Sequence, residues 1–132
     1  GATYHKDLKS LLSVSDVLSV CCPASKETIN LINKENLEYL PKGAVVTNVA
    51  RGDIVDDEAL IDALDRRKVY AVGLDVYKGE PNLNPGYLKH KSAFILPHLG
   101  SATKETRTAM ANLATDNLEE FLKTGNCKNK VN

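Results

Sequence analysis

The chain has 132 residues, 42% apolar and 26% charged, which is enough for one domain with a hydrophobic core and ordinary for a globular protein. Lysine plus arginine balance aspartate plus glutamate at 17 each, and the resulting zero net charge argues against nucleic acid as a partner. No apolar run reaches the length of a membrane span, and the N-terminal GATYHKDLKS lacks the pattern of a signal peptide, so a cytoplasmic protein without membrane contact is expected.

In chain order, DLKSLL starts a short helix near Asp7. DVLSVCC, from Asp16 to Cys22, is the first of four apolar runs. NKENLEYL then reads as a helix with Leu37 and Leu40 three apart, closed by Pro41 and Gly43. The second apolar run is AVVTNVA, Ala44 to Ala50, and DDEALIDALDRRK follows as a helix. There Asp56 is the cap, Asp57 and Glu58 occupy the first turn, and Arg66, Arg67 and Lys68 the last, which suits the helix dipole. Leu60, Ala63 and Leu64 would face the sheet.

The third run, VYAVGLDV, spans Val69 to Val76, and the fourth, AFILPH, spans Ala93 to His98. Between them PNLNPGYLKHKS reads as loop with one helical turn around Tyr87 and Leu88. The last helix runs from about Thr103 to Lys123, with Met110, Leu113, Ala114, Leu118, Phe121 and Leu122 in one apolar stripe and Gly125 as its C-cap. Strand and helix alternate throughout, so the fold class is α/β with a parallel sheet. The runs show little alternation, the pattern of strands covered on both faces.

Of the three cysteines, Cys21, Cys22 and Cys127, the adjacent pair Cys21 and Cys22 read as small buried hydrophobes in a reducing compartment, with a catalytic thiol at Cys21 or Cys22 as the less favoured alternative. No further ligands stand at metal-site spacing, so no metal is expected. Tyr4, Tyr70 and Tyr77 are assigned to packing.

Ligands of open parallel sheets bind beyond the carboxyl ends of the strands. Beyond the first stand Cys22 and Pro23; beyond the second, Arg51, Gly52 and Asp53. The third carries Asp75 near its end with Glu80 beyond, and the fourth is followed by His98, Gly100 and Ser101. Each has an ordinary structural reading: Arg51 and Glu80 as surface residues, Asp75 as a turn cap, His98 as a core histidine. Their convergence on one edge favours a site. Arginine suits a carboxylate, and a histidine beside a glutamate can exchange a proton with a carbonyl or hydroxyl oxygen. A 2-oxo acid offers both groups, and its reduction borrows a reductant from a cofactor.

NVARGDIVDDEALIDAL, VGLDVYKGEP and LPHLGSATKETRTAMANLATDNL, preceded by DVLSVCCPASKETINLIN, resemble the NAD(P)-dependent D-isomer-specific 2-hydroxyacid dehydrogenases. HLGSAT and FILP are most similar to the glyoxylate and hydroxypyruvate reductase branch. The resemblance implies an oxidoreductase passing hydride between NAD or NADP and a small 2-oxo or 2-hydroxy acid, with a homodimer as the full enzyme. It makes Arg51 the holder of the substrate carboxylate, His98 the general acid/base and Glu80 its partner. It places Asp75 against the nicotinamide carboxamide, Cys22, Pro23, Val49, Ala50, Arg51 and His98 around the cofactor, and Gly100 and Ser101 near the nicotinamide.

The chain has no G-x-G-x-x-G turn and no acidic ribose reader after it. It is therefore expected to be the C-terminal portion of a Rossmann-type doubly wound parallel sheet, lacking the glycine-rich half and the substrate domain. Alone it is expected to be inactive, to bind NAD weakly, and either to self-associate through the apolar edge of its first strand or to be less stable than a whole domain. The competing reading is a non-catalytic Rossmann-derived dimerisation or protein-binding module.

Overall fold

Val17–Val20, Ala44–Asn48, Val69–Leu74 and Ala93–Ile95 form strands β1 to β4 of one parallel sheet, in the order β1-β2-β3-β4. This is a computed structural model that describes residues 1–131. The register pairs Val20 with Asn48, Asn48 with Leu74, and Leu74 with Ile95, so the four carboxyl ends are level. Each ladder is shorter than the apolar run that signalled it. Cys21, Cys22, Val49, Ala50, Asp75 and Val76 lie past the strands on one edge.

Continuous apolar runs suggested strands covered on both faces, and burial corrects this. Leu18, Val20, Val46, Asn48, Val72 and Leu74 are buried, whereas Val17, Ser19, Tyr70 and Phe94 are exposed. The apolar members of the buried set join one core with Leu12, Leu37, Leu40, Ile54, Leu60, Ala63 and Leu64. Valine and isoleucine fit a pleated surface whether one face is covered or two, so composition alone does not separate the cases. β1 pairs with β2 alone and is an edge strand.

Three helices supply the other side of that core: α1 (Leu8–Leu12), α2 (Lys34–Tyr39) and α3 (Asp57–Asp65). Each starts at a polar cap whose side chain accepts a backbone N–H three residues on: Asp7 from Ser10 at 2.8 Å, Asn33 from Asn36 at 3.0 Å, Asp56 from Ala59 at 3.2 Å. The basic residues expected in the last turn of α3 lie beyond it instead. Arg66 is the C-cap and Arg67 has φ +56°. Arg66 reaches Glu38 of α2 at 2.6 Å and Asp62 at 2.9 Å, so its charge ties two helices together at the surface. Of the tyrosines assigned to packing only Tyr77 is buried; Tyr4 and Tyr70 are exposed.

The tyrosine that does fill the core is Tyr87, in a short 3-10 turn at Pro85–Lys89. Its hydroxyl donates to Asp57 Oδ1 at 2.8 Å. Burial, reinforced by the Asp57 charge, pushes the phenol far above its ordinary range. Burial also pushes the Asp57 carboxyl up, against the Tyr87 hydrogen bond, which lowers it. A raised folded-state value stabilises the fold below the unfolded value and loses that contribution as pH rises through the folded one. For Tyr87 the loss sets in above roughly pH 10, the unfolded tyrosine value. Tyr87→Phe leaves a buried Asp57 oxygen without its donor and is expected to cost about 1–3 kcal/mol at neutral pH. Urea unfolding across pH checks this: the variant should lack the alkaline loss of stability that the parent shows.

The chain divides into two compact units, Gly1–Pro97, described so far, and a second beginning at His98. The second is built on α4 (Lys104–Thr124), capped by Thr103, whose hydroxyl accepts from Thr106 N–H at 3.2 Å. Gly125 ends it at φ +73°, a left-handed conformation that costs glycine little, with its N–H on the Phe121 carbonyl at 2.8 Å. The tail folds back, Lys128 N–H donating to Glu120 Oε2 at 3.0 Å. The apolar stripe forms as expected but joins no core: Met110, Leu113, Leu118, Phe121 and Leu122 are all at least half exposed. Among the described residues no helix is long and apolar enough to cross a membrane.

Candidate functional site

The turns leaving β1 and β2 enclose a cavity of about 530 Å³ lined by Cys21, Cys22, Pro23, Ala24, Val49, Ala50 and Arg51. Five residues that the sequence placed around a cofactor, Cys22, Pro23, Val49, Ala50 and Arg51, are thus brought together. Apart from Arg51 the lining side chains are uncharged. Arg51 is the charged residue of this lining. Its guanidinium is exposed and Nη1 donates to the Ala50 carbonyl at 2.6 Å. Cys21 and Cys22 correct the expectation of buried thiols, the first being exposed and the second intermediate; Cys127 is intermediate too, and all three are free. Cys21 lies on the open edge, where its sulfur is 3.4 Å from the Ser19 hydroxyl.

The turn carrying Arg51 is shaped by Asn48, the last residue of β2 and 1% exposed. Its Oδ1 accepts from Ala50 N–H at 3.0 Å and its Nδ2 donates to the Arg51 carbonyl at 2.9 Å. Its own carbonyl accepts from Asp75 N–H at 3.0 Å. Asp75, buried at 8% exposure, is therefore tied by its backbone to the same strand end.

Gly52 follows Arg51 and is buried against the backbone of Tyr77 and Lys78, where a Cβ would overlap the Tyr77 carbonyl. Tyr77 N–H in turn donates to Glu80 Oε1 at 3.0 Å. The Arg51–Gly52 and Tyr77–Glu80 segments so form one assembly. The sequence pointed to Arg51 and Glu80, assigned Tyr77 to packing only, and passed over Asn48. The available signal for Asn48 was a carboxamide inside an apolar run, a group that burial tolerates only when bonded.

His98, Gly100 and Ser101 open the second unit, and all three are exposed. His98 has φ +56°, and Leu99 accepts from Ala102 N–H at 3.0 Å in the turn that leads into α4.

A cavity of about 600 Å³ lies elsewhere in the first unit, between the start of α3 and the loop before Pro85. Asp56, Asp57 and Glu58 line it, opposed by Lys78 alone among cations. That excess of negative charge repels a carboxylate, whereas the Arg51 cavity has a cation and no acidic side chain in its lining. Among the described residues no group of histidine, cysteine and acidic side chains could hold a metal.

Comparison with known proteins gives the same direction. Residues 1–100 match the family profile described as D-isomer specific 2-hydroxyacid dehydrogenase, NAD binding domain. A glycerate dehydrogenase of Hyphomicrobium methylovorum is 45% identical over 115 residues, 87% of this chain and 36% of that protein. A glyoxylate reductase of Thermococcus litoralis is 40% identical over 132 residues, the whole of this chain and 40% of that protein. Among solved structures, an NADPH-dependent glyoxylate/hydroxypyruvate reductase of Sinorhizobium meliloti, in complex with NADP and malonate, superimposes with a TM-score of 0.89 at 37% identity. That match covers 96% of this chain and 40% of the other. This chain thus spans well under half the length of these relatives. With a profile match over most of its length and a parallel α/β sheet to carry it, the chain belongs to the D-isomer specific 2-hydroxyacid dehydrogenase family.

Proposed function

We propose that the chain is the C-terminal part of the cofactor-binding domain of an NAD(P)-dependent D-2-hydroxyacid dehydrogenase that interconverts a small 2-oxo acid, such as glyoxylate or hydroxypyruvate, and its 2-hydroxy acid. The observation that carries this reading is the Arg51 cavity, in which a lone cation stands among small, neutral residues at the level carboxyl ends of β1 and β2. The names of the relatives support the substrate class.

In this reading Arg51 holds the substrate carboxylate, and Asp75 would contact the carboxamide of a nicotinamide cofactor. When bound, the reduced cofactor supplies the hydride that the carbonyl carbon receives. His98 gives the proton to the carbonyl oxygen and takes it back in the reverse direction. Cys22, Pro23, Val49 and Ala50 line the cofactor, with Gly100 and Ser101 beside the nicotinamide. The full enzyme is a cytoplasmic homodimer, a setting that the free cysteines suit.

The test is NADH and NADPH oxidation by the full-length protein carrying this chain, with glyoxylate, hydroxypyruvate and pyruvate. Turnover of at least one of them is expected. No turnover of any 2-oxo acid with either cofactor would leave the binding-module reading in its place.

A further inference from the structure

We infer that Asn48 is a positioning residue for Arg51: its buried carboxamide sets the turn that carries the guanidinium into the cavity. The inference deepens the functional reading above and rests on it. A carboxamide at 1% exposure is costly unless both of its ends are bonded. Both are, and to a single short segment, from the Ala50 N–H to the Arg51 carbonyl. The amide orientation follows from its partners, since an N–H only donates and a carbonyl only accepts. The Ala50 carbonyl between these two anchors is the group that Arg51 Nη1 meets at 2.6 Å. Asn48 therefore fixes the direction of the carbonyl on which the guanidinium rests. Through its own carbonyl it also fixes Asp75 N–H on the neighbouring strand at 3.0 Å. On the far side of the turn, Gly52 packs on the Tyr77 peptide that holds Glu80. A hydrophobe of similar volume would fill the space of Asn48 but would leave the turn free to rotate Arg51 away.

The experiment is steady-state kinetics of the full-length enzyme with glyoxylate, comparing Asn48→Ala, Asn48→Asp, Arg51→Ala and the double variant Asn48→Ala/Arg51→Ala. Asn48→Ala is expected to raise KM for glyoxylate about tenfold with a smaller change in kcat, the pattern of lost substrate binding. In the Arg51→Ala background the same substitution should raise KM no further, because the group it positions is gone. Asn48→Asp keeps the acceptor for Ala50 N–H. Its carboxyl donates to the Arg51 carbonyl only when protonated, so its KM should fall towards the parent value as pH is lowered. An unchanged KM in Asn48→Ala, or an equal KM rise with and without Arg51, would overturn the inference while leaving the functional reading intact. If Arg51→Ala itself leaves KM unchanged, the functional reading fails and the inference with it. Loss of fold in both Asn48 variants would make Asn48 purely structural and would also overturn the inference.

Discussion

Gly52→Ala is expected to be among the most damaging single changes in the first unit, lowering stability by about 3 kcal/mol, the upper end for overpacking. The added Cβ overlaps the carbonyl of Tyr77. A clashing side chain can change rotamer, whereas a peptide can yield only by moving its whole segment. Here the moving parts would be the turn after Arg51 and the Tyr77 to Glu80 segment, joined by the Tyr77–Glu80 hydrogen bond. Gly73→Ala is the control. Its Cβ would meet Thr47 Cγ2 at 3.5 Å, an ordinary contact, and alanine suits a strand interior better than glycine by about 0.5–1 kcal/mol. Urea unfolding should show a lowered midpoint for Gly52→Ala and an unchanged or raised one for Gly73→Ala. Equal behaviour of the two would refute the proposed backbone contact.

Arg51→Ala should be the strongest binding lesion in the full-length enzyme, raising KM for the 2-oxo acid about 10–100-fold, the worth of a hydrogen bond to a charged group. Arg51→Lys should recover only part of this, because an ammonium keeps the charge but loses the planar fork that matches a carboxylate. His98→Ala should behave differently, lowering kcat by about 10²–10⁴ while changing KM less, as expected for loss of a general acid. This division of labour is the point to measure. If both substitutions lowered kcat alone, Arg51 would not be holding the carboxylate in the ground state.

The element pattern was legible because it rests on local chemistry. Asp7, Asn33, Asp56 and Thr103 each accept a backbone N–H at the start of a helix, and Gly125 ends α4 in the left-handed region. The four apolar runs became four strands, trimmed at their ends where the ladder stops. Arg51, Glu80 and His98 were legible as residue types suited to an acid and a carbonyl, and the family resemblance assigned their roles. The misreadings share a cause. Cys21, Tyr4 and Tyr70 were judged by side-chain polarity, yet burial depends on what lies opposite, which no local pattern records.

The sequence by itself determined the alternation of strand and helix, the helix caps and the set of reactive side chains, since these follow from propensity, hydrogen-bonding capacity and charge within a few residues. Only the tertiary structure decided the rest. It levelled the strand ends through the Val20, Asn48, Leu74 and Ile95 register, so that distant turns share one edge. It buried Tyr87 on Asp57, thirty positions apart, and turned Asn48 from an oddity in an apolar run into the anchor of the Arg51 turn. It also gave Gly52 its reason, a Tyr77 peptide too close for any Cβ. The strand register and the Tyr87–Asp57 and Gly52–Tyr77 contacts join segments far apart in the chain, and although Asn48 bonds its own neighbours its burial is set by the same three-dimensional packing, which no window of sequence contains.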